Sequence, residues 1–355
     1  CYFEAFLHQA HREHELVIRN LAAAGDEVTT WHRSQDFGSQ DEWLKRVEAN
    51  VILAFWGFNE SFQGADGLTK FKDDLSTWID GKRGQTFGKE APRIALFSPV
   101  AAEETGNPDL PRVAPLNANL ALYAKAVKEV AAEKELPFVD LYQHSLQIYE
   151  RTETQLTVNG LHLIDDGYNL LSGLLAKDLC PSTLSLLDRR IVNAVRDKNE
   201  RWFSRYRTVD GYNVYGGRSK RVYANVSNFK VMQEEMRQRD AQTANREARI
   251  WASARGKDFS VKDDNLPAVT ETPTNLPDHR IAPYPDPEEA IGEMKIHSGM
   301  EVNLFASEKE FPELANPVQM AWDTKNRLWV AAWPTYPAAT PTDKVLDKLL
   351  VFEDT

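Results

Sequence analysis

Val51-Ile52-Leu53-Ala54-Phe55-Trp56, followed at once by Gly57-Phe58-Asn59-Glu60, is the stretch on which the fold turns. Six apolar residues without alternation read as a fully buried strand, the kind that lies inside a parallel sheet covered on both faces. Upstream, a helical pattern from Tyr2 to His14 carries Phe3, Phe6 and Leu7. The apolar run Leu16-Val17-Ile18 then reads as a first strand ending near Arg19-Asn20-Leu21. Asp41 is the expected N-cap of a helix through Trp43, Leu44 and Val47. Downstream come a helix through Phe71, Leu75 and Trp78 and the strand Ile94-Ala95-Leu96-Phe97. A long helix over 116–133 and the short strand Phe138-Val139-Asp140-Leu141 complete the pattern. Apolar strands separated by helices predict an α/β three-layer sandwich with a parallel sheet over residues 1–180.

Beyond Pro181 the pattern changes twice. Residues 181–256 read as a charged helical extension, with Leu184, Leu187, Ile191, Ala194 and Val195 on one helix face running toward Trp202 and Tyr206. Residues 228–255 are polar enough to predict a solvated or partner-covered helix. Residues 257–290 hold Pro267, Pro273, Pro277, Pro283, Pro285 and Pro287 among many acids, the composition of an extended linker. Residues 291–355 then show short strands with no helix between them: Val302–Phe305, Val318–Ala321, Leu328–Ala331 and Leu349–Phe352. The turn Asp323-Thr324-Lys325-Asn326-Arg327 joins two of them as a hairpin, giving a partial antiparallel β region.

The 355 residues suffice for two domains and a connector, and 42% hydrophobic residues with nine tryptophans exclude a disordered chain. A net charge of -11 argues against nucleic acid, which needs a basic face. No apolar run approaches the roughly 20 residues of a membrane span. Cys1 and Cys180 are too few for a disulfide framework, and Cys180 reads as a small buried hydrophobe. His8, His11 and His14 lie three apart, a spacing that drifts around a helix and spreads the imidazoles; no metal or other cofactor is expected.

Three short blocks come after the predicted strands: Gly25-Asp26-Glu27, Gly57-Phe58-Asn59-Glu60, and Asn159-Gly160-Leu161-His162 ahead of Asp165-Asp166-Gly167-Tyr168. Loops at the carboxyl ends of parallel strands collect along one edge, where ligands bind. The chemistry such a group suits is acyl transfer. A glycine N–H approaches a developing oxyanion unobstructed, an asparagine amide adds a second donor, and a histidine moves the proton near neutral pH. Each block also has a plainer reading: Asn59 as the cap of a turn, His162 as a hydrogen-bonded structural residue, and Gly25 and Gly57 as ordinary turn glycines.

In their order and placement the blocks resemble the second, third and fifth blocks of the SGNH/GDSL hydrolase superfamily, most closely its carbohydrate-esterase-like branch. That resemblance, covering about the first half of the chain, implies a flavodoxin-like sheet, Gly25 and Asn59 as oxyanion donors and His162 as general base. The family's first block, a strand followed by Gly-Asp-Ser, is expected before Cys1, so the nucleophile lies outside these residues. Where the family has an Asp three residues before the histidine, this chain has Asn159, which can orient the imidazole without supplying a charge. Asp165 and Asp166 are the nearest candidates for the missing carboxylate. The resemblance further implies an exported, periplasmic or secreted protein.

The last segment resembles the start of a β-propeller in large planctomycete and verrucomicrobial proteins, similar to sorbosone or glucose dehydrogenases. Gly299–Phe305, Asn316–Asp323, Arg327–Ala331 and Trp333–Tyr336 carry it. The partners this implies are a small-molecule or carbohydrate ester and a downstream propeller in the same polypeptide. Three functions stay open: an acetylesterase-like ester hydrolase, a non-catalytic carbohydrate-binding module on the same fold, and an accessory region of a propeller/haem oxidoreductase.

Overall fold

A computed structural model describes residues 1–180, 186–208, 211–223, 225–271, 285–335, 342 and 344–353. At its centre three strands, β1 (Val51–Phe55), β2 (Arg93–Phe97) and β3 (Phe138–Val139), pair in parallel in that order. Ile52 lies opposite Ile94 and Leu96 opposite Phe138. Because side chains alternate across a strand, the continuous apolar runs feed two cores. Ile52, Ala54, Ile94 and Leu96 enter one with Phe71, Leu75, Ile79, Tyr123, Val127 and Val130. Ala95, Phe97 and Val139 enter the other with Ile148, Leu163, Leu171 and Leu175. The first core is roofed by α3 (Leu68–Arg83) and α4 (Val113–Glu133), the second by α5 (Leu141–Arg151) and α6 (Asp165–Leu179). This is the expected α/β three-layer arrangement. Each large aliphatic side chain so buried contributes about 1.5–3 kcal/mol.

Several local expectations are corrected. The first helix, α1 (Tyr2–Ala10), stops short of His14, and α2 (Gln40–Arg46) is capped by Ser39. The Ser39 hydroxyl accepts from Glu42 N while the Glu42 carboxylate accepts from Ser39 N, a reciprocal capping box, and Asp41 instead pairs with Lys82. Strand β1 is not fully buried: it pairs on one side only, and Val51 and Phe55 are about half exposed, at 47% and 49%.

Leu16-Val17-Ile18 forms no strand. Its backbone is satisfied by side chains from the helical extension, chiefly α7 (Arg189–Tyr206), rather than by a ladder. The carbonyls of Ile18, Asn20, Leu21 and Ala22 accept from Lys198 Nζ, Trp202 Nε1, Tyr206 OH and Arg207 Nε, at 2.9, 2.8, 2.5 and 2.7 Å. After the short α8 (Gly211–Val214) and the two-residue strands β4 (Val222–Tyr223) and β5 (Val226–Ser227) comes α9 (Asn228–Ala254), which also reaches this segment: Trp251 Nε1 donates to Leu16 O at 2.9 Å. α9 is covered by α7, its buried face holding Gln242, Thr243, Arg246, Glu247 and Ile250, with Arg246 paired to Asp197.

The proline-rich segment begins as a strap on α9 rather than a free spacer. Pro267 O accepts from Gln238, Thr270 N donates to Glu234, and Asp263 pairs with Arg246. Pro273, Pro277 and Pro283 lie outside the described residues; Pro287 opens α10 (Pro287–Gly292). Beyond it, β6 (Pro317–Trp322), β7 (Leu328–Ala332) and β8 (Lys348–Phe352) form an antiparallel sheet. The expected strand at Val302–Phe305 has no regular structure. In the predicted hairpin turn, Asp323 Oδ1 accepts from Lys325 N and Arg327 N. No helix among the described residues is long and apolar enough to cross a membrane.

Candidate active site

β1 runs out into Gly57-Phe58-Asn59-Glu60, and Glu60 organises this turn. Its buried carboxylate folds back to accept Gly57 N at 3.0 Å and reaches across to accept Val28 N at 2.9 Å. Burial pushes the Glu60 carboxyl above the usual carboxylate range, with the backbone donors pulling the other way. One side chain therefore ties the loop after β1 to the loop carrying Gly25. Asn59 adds a second tie, its Nδ2 donating to Asp26 O at 2.9 Å. An amide nitrogen has two hydrogens, so this bond leaves one available to a ligand.

Asp26 is itself gripped. Both its oxygens accept from Arg33, at 2.7 and 2.8 Å, and one also accepts Ala23 N at 2.8 Å. The Arg33 guanidinium lies 3.9 Å from the Trp31 ring centroid, a cation–π contact that keeps it in place. Gly25 sits exposed at φ +84°, and a Cβ there would meet nothing within 4 Å. Space does not require a glycine there, but the backbone conformation favours one.

Asn159 and His162 occupy a tight loop between Leu156 and Ile164. Thr157 and Leu163 bridge antiparallel, Val158 N donates to His162 O and Ile164 N to Leu156 O, both at 2.8 Å. At the tip, Asn159 Oδ1 accepts His162 N at 3.1 Å and lies 3.0 Å from His162 Nδ1. The main-chain donor fixes the amide with its oxygen toward the ring, so Nδ1 bears the hydrogen and the lone pair falls on Nε2. The imidazole is exposed. Asp165 does not stand in for the family's acid: it accepts from Tyr2 OH at 2.5 Å and pairs with Arg196 at 2.6 Å.

The structure thus joins Gly25-Asp26 directly to Asn59, and Asn159 directly to His162. The two groups meet through their neighbours: Phe58 and Leu161 pack against one apolar cluster formed by Ala101, Ala102, Leu120, Ala124 and Tyr142. Residues 57–60 leave the carboxyl end of β1, and residues 98–103, which hold the His162 loop, leave that of β2. Both groups therefore rise from the same edge of the sheet. Sequence reasoning overlooked Arg33, the bridging role of Glu60, and Glu103, whose carboxylate accepts Leu156 N at 2.8 Å. Glu60 stands beside Asn59, but nothing local indicates that its carboxylate reaches a backbone 32 residues away.

Other candidates fall away. His11 Nε2 contacts Cys180 Sγ at 3.1 Å, and Cys180 is buried as expected. No group of three or more potential metal ligands occurs among the described residues.

Residues 2–170 match the model of the GDSL-like lipase/acylhydrolase family, and residues 286–355 match DUF7133, a domain of unknown function. No curated protein matches. Among solved structures, a catalytic mutant of an acetylxylan esterase from Geobacillus stearothermophilus is similar at 17% identity and a TM-score of 0.30, over 37% of this chain and 59% of that one. A peptidoglycan O-acetylesterase is similar at 14% identity and TM-score 0.31, over 40% of this chain and 43% of that one. A lipase/acylhydrolase from Enterococcus faecalis is similar at 23% identity and TM-score 0.28, over 42% and 75%. The chain thus spans less than two thirds of the first two, 59% and 43%. Scores of this size carry no inference on substrate.

Proposed function

We propose that the α/β region is an ester hydrolase of the acetylesterase type, acting on acyl groups carried by carbohydrate. The observation that carries this reading is the Asn59 Nδ2 bond to Asp26 O, which holds a side-chain donor beside the Gly25 backbone. The nucleophile is the serine of a Gly-Asp-Ser block expected upstream of Cys1, delivered by a strand along the outer edge of β1. Its hydroxyl attacks the ester carbonyl as His162 Nε2 takes the proton. Gly25 N–H and the second Asn59 hydrogen stabilise the oxyanion, an effect worth about 10²–10³ in rate per donor. His162 then protonates the departing alcohol, and water, activated by the same imidazole, releases the acid. Asn159 sets the tautomer but brings no charge to the imidazolium, so the base is weaker than one backed by a carboxylate.

The test is acetyl-ester hydrolysis by the protein carrying the upstream block, with and without His162→Ala. Equal rates in the two would sink the assignment. A second reading, a carbohydrate-binding module without turnover, is favoured by the amide at position 159. Glycan binding by the protein with no ester hydrolysis would select it. In the same reading the protein is exported, and residues 286–355 belong to a β-propeller.

A further inference from the structure

We infer that Glu103 is the positioning residue of His162, holding the Asn159–His162 loop in register through Thr157 and Gly160. The inference rests on the hydrolase reading for its purpose but not for its geometry. Glu103 lies in the loop that follows β2 and is buried, 7% exposed. Its two oxygens take Leu156 N at 2.8 and 3.1 Å, and one also takes the Thr157 hydroxyl at 2.5 Å. That hydroxyl in turn accepts Gly160 N at 2.9 Å. In the opposite sense, Glu103 N donates to Gly160 O at 2.8 Å. Gly160 is at φ +82°, and a Cβ there would come 3.1 Å from Glu103 O, so a side chain at this position would crowd the Glu103 backbone.

These contacts define a chain of command from sheet to imidazole. The carboxylate sits in the buried segment that follows β2, Thr157 relays its hold to Gly160, and Gly160 separates Asn159 from Leu161 and His162. The carboxylate does not touch the ring. Its charge is directed at two donors at the base of the loop, both of which would be orphaned in a buried setting without it. Burial and, after it, the nearby Glu103 carboxylate push the Tyr149 phenol up. The part a triad acid plays by touching the imidazole is here divided. Asn159 sets the tautomer, and Glu103 fixes the frame on which Asn159 stands.

The test reads the imidazole itself, without substrate. In the uniformly ¹⁵N-labelled chain, long-range proton–nitrogen correlation is expected to show neutral His162 as the Nδ1–H tautomer. Glu103→Ala is expected to mix the two tautomers and to speed amide exchange at Leu156 and His162 by about 10- to 100-fold, with β1 and β2 amides unchanged. Glu103→Gln keeps one acceptor oxygen and is expected to restore much of the single tautomer. A folded Glu103→Ala protein with the His162 tautomer and loop exchange unaltered overturns the inference. If that variant does not fold, Thr157→Val, which removes only the hydroxyl link, decides by the same two readings. Ester hydrolysis is measured separately. Absence of hydrolysis in the protein carrying the upstream block, beside a responsive imidazole, sinks the hydrolase reading alone, and an unresponsive imidazole beside full turnover by that protein sinks this inference alone.

Discussion

The donor side and the base side of the candidate site are built on opposite plans. Gly25, Asp26 and Asn59 are assembled across long stretches of chain. Glu60 reaches back 32 residues, and α7 holds the carbonyls leading to Gly25 from at least 180 residues away. The His162 loop is local: its bridge, its turn and the Asn159 contact all fall within Leu156–Ile164, and a single carboxylate anchors it from outside. Stability and chemistry should therefore separate. Changes on the donor side reach the whole fold, whereas changes at the tip of the base loop stay where they are made.

The largest expected effect is His162→Ala, which should lower ester hydrolysis by roughly 10²–10⁴-fold, as for loss of a general base. Thermal unfolding should hardly move, because the side chain is exposed. A comparable loss of stability would break the contrast. Asn59→Ala comes next, with a fall in kcat of about 10²–10³-fold together with a small drop in unfolding midpoint from the lost Asp26 contact. Glu60→Ala should act chiefly on the fold, since two buried backbone N–H groups lose their acceptor at about 1–3 kcal/mol each. Chemical denaturation measures that loss, and Glu60→Gln should recover part of it. Arg33→Leu is expected to cost less, about 1–2 kcal/mol, by freeing Asp26 and the Trp31 ring.

The last test reads the pH dependence of stability and concerns Glu4, whose carboxylate lies 2.6 Å from Lys198 where α1 meets α7. Burial alone would raise its pKa. The Lys198 ammonium, with hydrogen bonds from His8, Lys198 and Asn199, instead brings it from 4.5 to about 2. A depressed carboxyl stabilises the fold above its ordinary value and loses that stabilisation as pH falls toward 2. Unfolding midpoints should therefore hold from pH 7 to pH 5 and decline below about 4.5, with Glu4→Gln flattening that decline.

Legibility in the sequence divides along the same line. The runs 51–56 and 94–97 are apolar throughout and mark the parallel sheet. The Asn159–His162 spacing is a local pattern and the structure closes it as a hydrogen bond. Leu16-Val17-Ile18 resembles a strand because its residues are strand formers. Whether it joins a ladder depends on a neighbour, and here Lys198, Trp202 and Trp251 take the carbonyls of Ile18, Asn20 and Leu16. Residues 228–255 read as solvated or partner-covered because their buried face is made of Gln, Arg, Glu and Thr, whose burial is tolerated only once Asp197, Asp263 and Arg19 are in place as partners. Glu60 and Glu103 escape for the same reason, since Val28 and Leu156 lie 32 and 53 residues away; Arg33 escapes although Asp26 is close in the chain, because no regular element sets their spacing.

The grip of α7 on residues 18–22 bears on how this α/β unit can be moved between proteins. A cut after Cys180, where composition changes, would strip the donor-loop approach of the side chains that satisfy its carbonyls and expose Trp43 and Phe37, which pack on Trp202 and Tyr206. The smallest piece expected to be transplantable carries both α7 and α9, together with the strap over 263–270. What composition marks as an appendage is, in its hydrogen bonds, a wall of the α/β module.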